Sequence, residues 1–263
     1  MLIAFSVVAN RLLGLPFESQ SVRTNQRDKM TFEISRRDLI TKAAVVAAAG
    51  SAPAIIGADL AFAEGRPDHK EFSQAEVVAI LKEGNKRWAA GKPIRKSYAP
   101  KGSKLTDGQW PIAAVLACAD SRVQPDEFFD LAPANLFVVR NAGNVVDDDV
   151  LGSLEYAIEH LGVEVIVVLG HSLCGAVKAT EAFVATGSKP GHHIDAIVEK
   201  IAPAIQALPA THTLGQSIHA NADQSAHELT VGSEVLAEAA TAGKLKVIAG
   251  AYNLGNKKVS FHA

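Results

Sequence analysis

The chain has 263 residues, with 26 Lys and Arg against 28 Asp and Glu and a formal net charge of -2. Hydrophobic residues make up 48% and charged ones 21%, which excludes a disordered chain, a collagen-like fibre and a strongly basic nucleic-acid binder. The two cysteines, Cys118 and Cys174, exclude a disulfide-rich scaffold and a four-cysteine zinc site, and leave open one disulfide, one mixed metal site or two inert thiols.

The first segment in chain order is a leader. Ser35-Arg36-Arg37-Asp38-Leu39-Ile40-Thr41-Lys42 precedes a small-residue apolar run over 43–57, and Ala61-Phe62-Ala63 has the A-x-A cleavage pattern. Residues 30–63 thereby resemble a bacterial twin-arginine signal peptide. Gly50, Pro53 and Gly57 interrupt the run, which falls short of the ~20 apolar residues that span a bilayer. The resemblance implies export of a folded protein to the periplasm, cleavage near Ala63 and a mature form without a membrane span. Residues 1–29 stand ahead of the leader, and Met30, close before Ser35, is the expected start.

Residues 64–263 have the length of a single domain. Ser73-Gln74-Ala75-Glu76 reads as a capping box that opens a helix to about Ala90. Apolar runs over 112–118, 136–139, 163–169 and 246–252 predict strands, with a short fifth over 259–261. Helices are expected over 149–160, 174–187, 194–207 and 218–242, with a plain loop over 185–191. Near-continuous apolar strands alternating with helices predict an α/β fold, a mostly parallel central sheet flanked by helices. Ligands gather at the carboxyl ends of such strands. Cys118 ends the first strand and Cys174 follows the third.

Two clusters carry the chemistry, Cys118-Ala119-Asp120-Ser121-Arg122 and His171-Ser172-Leu173-Cys174-Gly175. A His and a Cys three apart at a strand-to-helix turn can face one centre, with Cys118 as a third ligand from the neighbouring strand end. Two thiolates, one imidazole and an open position make a catalytic zinc layout, and soft ligands favour zinc over magnesium or calcium. A disulfide between Cys118 and Cys174 competes with this reading in an oxidising compartment. Arg122 can grip Asp120 bidentately; the plain alternative is a solvated surface pair.

The stretch from Cys118 to Val123, Phe137 to Asn144, Gly152 to Tyr156 and Gly170 to Gly175 together resemble the β-class carbonic anhydrases. Gly84 to Trp88 with Gly91-Lys92-Pro93 is similar to that family's N-terminal helix, and 246–261 to its closing strands, so the likeness covers about 73–263. The resemblance implies reversible hydration of CO2 to bicarbonate and a proton by zinc-bound hydroxide, with one zinc on Cys118, His171 and Cys174. It implies a catalytic dyad of Asp120 and Arg122, a substrate donor in Gln109, pocket aromatics in Phe137 and Tyr156, and Gly175 beside the last ligand. A homodimer or higher homo-oligomer is also implied. Some members carry a tryptophan three residues before the first cysteine, in an inhibitory bicarbonate pocket; Val115 stands there, which implies a site that rests open. Two other readings keep the fold: hydrolysis of a CO2 analogue such as carbonyl sulfide, and a zinc-stabilised binding protein without turnover. Gln109, Asp120 and Arg122 argue against the latter. His160, His192, His193, His212, His219 and His227 offer proton carriers, and the sequence singles out none.

Overall fold

The computed structural model describes residues 72–262, so the leader expected over 30–63 lies outside the described residues. The elements run α1 (Gln74–Ala89), β1 (Ala113–Cys118), α2 (Pro125–Phe128), β2 (Leu136–Asn141), α3 (Asp148–Glu159), β3 (Val165–His171), α4 (Gly175–Thr186), α5 (Ile194–Gln206), α6 (Leu214–Gly232), α7 (Glu234–Thr241), β4 (Lys246–Tyr252) and β5 (Val259–His262). The sheet has the order β2-β1-β3-β4-β5, parallel throughout except for the antiparallel β5.

Strand periodicity explains why the apolar runs are nearly continuous. Ala113, Val115 and Ala117 of β1, with Val165, Val167 and Leu169 of β3, pack on Val77 and Leu81 of α1 and on Phe128 and Phe129. The alternate residues Ala114, Leu116, Ile166 and Val168 pack on Val150 and Leu154 of α3, Leu229 of α6 and Leu236 of α7. Both faces are covered, so neither parity of the central strands can be polar. Each fully buried Val, Leu or Ile contributes about 1.5–3 kcal/mol. Val115 is part of this core, fully buried.

Local signals set most boundaries. Ser73 and Glu76 form both halves of the capping box expected for α1. At Gly84 a Cβ would lie 1.8 Å from the Phe129 carbonyl oxygen, so only glycine lets α1 approach that close. Its neighbour Asn85 donates to the carbonyls of Phe128 and Lys257, both at 3.0 Å, and accepts from Val259 N at 2.8 Å.

Several boundaries differ from the expectation. β2 runs on to Asn141, because its last residue still pairs with Cys118. β3 begins at Val165, because Val163 N turns back to the Ala157 carbonyl at 3.0 Å and closes the end of α3. The single helix expected over 218–242 is two. α6 starts earlier, on a Thr213–Gln216 capping box, and Ser233 separates it from α7 with an extended φ of -130°. Ser233 Oγ accepts from Leu236 N at 3.2 Å and donates to Glu155 Oε1 at 2.6 Å. The short helix α2, begun by Pro125, has too few residues for periodicity to mark it.

Candidate metal centre

Strand register assembles the centre. Cys118 ends β1 beside Asn141, and His171 ends β3 beside Tyr252. Leu173, at φ 63°, turns the chain after β3, and Cys174 then stands as the N-cap of α4. The ligand atoms of Cys118, His171 and Cys174 lie within 4.8 Å of one another, and all three residues are buried. That is close to what two bonds of about 2.0–2.3 Å each to one zinc ion bridge. The cysteines are free thiols, not a disulfide.

The protonation pattern fits a metal. A carbonyl can only accept, so the 3.0 Å contact of His171 Nδ1 with the Ser172 oxygen fixes the proton on Nδ1. His171 Nε2 is then left with its lone pair, buried and without a partner among the described residues. Leaving such a group unsatisfied costs about 1–3 kcal/mol, a deficit that a cation would remove. The Cys174 thiol donates to Cys118 and, against the cost of burial and with help from the Gly143 and Asp120 amides, holds Cys118 down to about 4. Its role as donor, with burial, pushes Cys174 up. The two sulfurs thus share one proton that a soft cation can replace.

The turn after β2 supports the cysteine. Gly143 N donates to Cys118 Sγ at 3.3 Å, and Asn221 of α6 donates to the Gly143 oxygen at 2.8 Å. Gly143 has φ 78°, and a Cβ there would lie 2.8 Å from Ile201 Cδ1. Arg140 of β2 donates from Nε to the Cys118 oxygen at 3.0 Å and from Nη2 to the Asp120 oxygen at 2.6 Å. One guanidinium therefore clamps the loop that carries both a ligand and the carboxylate. Neither residue was singled out from the sequence; an arginine within an apolar edge strand is the one signal that points to it.

Asp120 is tied to Arg122 three times. Arg122 N and Nε donate to Oδ1, each at 2.9 Å, and Nη2 to Oδ2 at 2.6 Å. The guanidinium, against a small cost of burial, holds the carboxyl well below the usual carboxylate range. Arg122 is 54% exposed, so the pair adds little to stability and its effect is one of position. Oδ2, the oxygen that accepts from Arg122 Nη2, lies 3.9 Å from His171 Nε2, which sets the carboxylate beside the ligand cluster.

Three expected pocket residues are not brought to this centre within one chain. Gln109 is exposed and precedes the amino end of β1, whereas Cys118 is its carboxyl end. At ~3.3 Å per residue the strand separates them by roughly 16–20 Å. Phe137 pairs with Ala114, near the same far end, and its ring faces Tyr156 at 6.2 Å, with His160 5.1 Å beyond Tyr156. Gly175 is the first residue of α4, and a Cβ there would meet nothing within 4 Å, so close approach does not require glycine.

Residues 113–259 match the family model described as carbonic anhydrase. A carbonic anhydrase of Mycolicibacterium smegmatis is 37% identical over 188 residues, covering 70% of this chain and 90% of that protein. Among solved structures, the Coccomyxa β-carbonic anhydrase has a TM-score of 0.54 at 27% identity, covering 70% of this chain and 85% of that one. A chain from the crystal structures of two tetrameric β-carbonic anhydrases of Sordaria macrospora shares the fold, with a TM-score of 0.51 at 24% identity over 60% of this chain and 83% of that one. No helix among the described residues is long and apolar enough to cross a membrane. The matched span contains all three metal-ligand candidates and the whole parallel sheet that positions them, and the chain belongs to the carbonic anhydrase family, in its β class.

Proposed function

We propose that Cys118, His171 and Cys174 hold one zinc ion per chain, and that Asp120 and Arg122 serve the reversible hydration of CO2 to bicarbonate and a proton. The observation that carries this reading is the buried cluster of two sulfurs and an orphaned imidazole nitrogen beside a carboxylate held by Arg122. Zinc, when bound, supplies the Lewis acidity that makes water a nucleophile near neutral pH.

The chain's own residues do the rest. Asp120, kept ionised by Arg122, can only accept a hydrogen bond, so it admits an O–H donor beside the cluster and orients it. Arg122 holds that carboxylate in one orientation, which would keep it from serving as a further ligand to a bound zinc. This is the open resting arrangement, in line with Val115 belonging to the core.

A homo-oligomer completes the proposal. Gln109 can serve as a substrate donor only for a neighbouring copy of the chain, since its own Cys118 lies at the other end of β1; Phe137 and Tyr156 are in the same position. The tetrameric relatives support such an assembly. The leader over 30–63 adds export to the periplasm with cleavage near Ala63.

The test compares zinc-loaded wild type with Asp120→Asn in stopped-flow CO2 hydration, with zinc measured in both. Both retain about one zinc per chain, and the variant's turnover falls on the order of a hundredfold. Zinc-loaded wild type that does not hydrate CO2 overturns the assignment, and full turnover in the variant removes Asp120 from the reaction.

A further inference from the structure

The connection from α5 to α6, residues 207–213, is exposed except for Leu208 and His212, which are partly covered. With so little apolar burial, polar bonds must supply its order. His212 makes them on three sides. Its backbone N donates to the Pro209 carbonyl at 3.0 Å, and its ring Nδ1 lies 2.7 Å from the same oxygen, which closes the turn. Its Nε2 lies 3.1 Å from Oε1 and 3.0 Å from Oε2 of Glu181 on α4. Ser217 of α6, fully buried, donates from Oγ to the same Glu181 Oε1. Glu181 therefore joins α4, the connection and α6.

The partners of His212 dictate its protonation. A carbonyl has no proton to give, so Nδ1 must carry one. The proton between Nε2 and Glu181 rests on the stronger base, the imidazole, whose ordinary pKa of about 6.5 lies above the roughly 4.3 of a glutamate. With a proton on each nitrogen His212 is an imidazolium, bonded to an acceptor at both ends of its ring. The Pro209 carbonyl and the Glu181 carboxylate, against a smaller cost of burial, raise its pKa above the ordinary histidine value. Among the described residues, Glu181 of α4 is the charged group that acts on it; α6 contributes the neutral Ser217, and no charged group of α5 or α6 takes part.

We infer that His212 is a pH-sensitive latch: as the imidazolium it pins the α5–α6 connection to α4, and loss of its proton to a buffer base releases the connection. A neutral ring can donate from one nitrogen only. It keeps one contact and turns a lone pair toward an oxygen at the other, so one of the two bonds becomes a repulsion. A raised folded pKa contributes stability that is fully present below the unfolded value of about 6.5 and is lost as pH rises through the folded value. The latch is therefore closed in mild acid and opens on the alkaline side. The amides that report its state are His212 N, bonded to Pro209, and Gln216 N, bonded to Thr213 Oγ at 3.3 Å in the capping box that starts α6.

The experiment uses the full-length zinc-loaded protein and its His212→Gln and Glu181→Gln variants. 15N NMR of the ring nitrogens finds both nitrogens of His212 protonated at pH 6, with a titration midpoint above 6.5 that falls in Glu181→Gln. Hydrogen exchange over residues 207–217, corrected for the intrinsic rise with pH, quickens several-fold in wild type between pH 6 and pH 9. The same segment of His212→Gln, which has no proton to lose, exchanges equally at both. A wild-type His212 with a single ring proton at pH 6, or a midpoint at or below the ordinary value, overturns the inference. Corrected exchange in wild type that does not change between pH 6 and pH 9 also overturns it.

Discussion

Gly143→Ala probes how the turn after β2 builds the metal centre. Gly143 adopts φ 78°, and placing a Cβ in that left-handed region costs about 1–2 kcal/mol. The new methyl would also sit 2.8 Å from Ile201 Cδ1 and 3.0 Å from Ala176 Cβ. Ile201 is fully buried, so the clash cannot relax into solvent, and overpacking of this kind costs about 1–3 kcal/mol. The combined loss of about 2–5 kcal/mol is large against the 5–15 kcal/mol that typically holds a domain folded. The relaxation that relieves the clash must also shift the N–H donated to Cys118 Sγ, so zinc retention falls with stability. Urea denaturation reads the first effect as a lower midpoint at an unchanged slope, and competition with a chromogenic chelator reads the second. A variant within about 0.5 kcal/mol of wild type that retains zinc equally well would refute both the strain and the supporting role of the amide.

Asp130, buried at φ 55° between α2 and β2, accepts from Arg87 Nε at 2.5 Å, Ile94 N at 2.8 Å and Arg95 N at 2.6 Å. Burial pushes its pKa up, but Arg87 and the two amides outweigh it and hold the group below its ordinary value. A depressed folded pKa contributes stability that is present above the unfolded value of about 3.9 and is lost as pH falls through the folded one. Asp130→Asn should therefore cost about 2–4 kcal/mol at pH 7 and flatten the acid limb of stability below about pH 4; identical limbs in urea titrations of the two proteins would contradict this. Arg140→Ala frees the carbonyls of Cys118 and Asp120 and should weaken zinc binding about 10–100-fold in chelator competition, against no change if the clamp is idle. Ser233→Ala removes the cap of α7 and the bond to Glu155, and should cost about 1–2 kcal/mol in thermal unfolding while turnover stays the same. An unmoved Tm would show that Gly232 alone breaks the helix.

The sheet was legible because burial on both faces leaves β1 and β3 with uninterrupted apolar runs, a pattern that local sequence reports directly. Val163 shows the limit: it is as apolar as the strand it precedes, and only its bond back to Ala157 excludes it. Ser233 sits between two stretches of one helical character, and its role as a break depends on Glu155, far away in sequence. In the candidate site, the ligand types and their place at strand ends were readable from residue chemistry. Arg140 and Gly143 act through backbone atoms that strand register sets opposite them, which no side-chain pattern encodes. Gln109, Phe137 and Tyr156 fit a family motif, but a motif does not say which copy of the chain they serve.

The most direct measurement is stopped-flow CO2 hydration by the full-length protein as prepared, after zinc removal with a chelator, and after zinc is restored to about one per chain. Turnover that vanishes with the metal, returns in proportion to zinc bound, and is lost in a Cys174→Ser variant that no longer retains zinc is the expected result. Zinc bound at one per chain with no CO2 hydration would contradict it, leaving a correctly placed metal centre that does other chemistry.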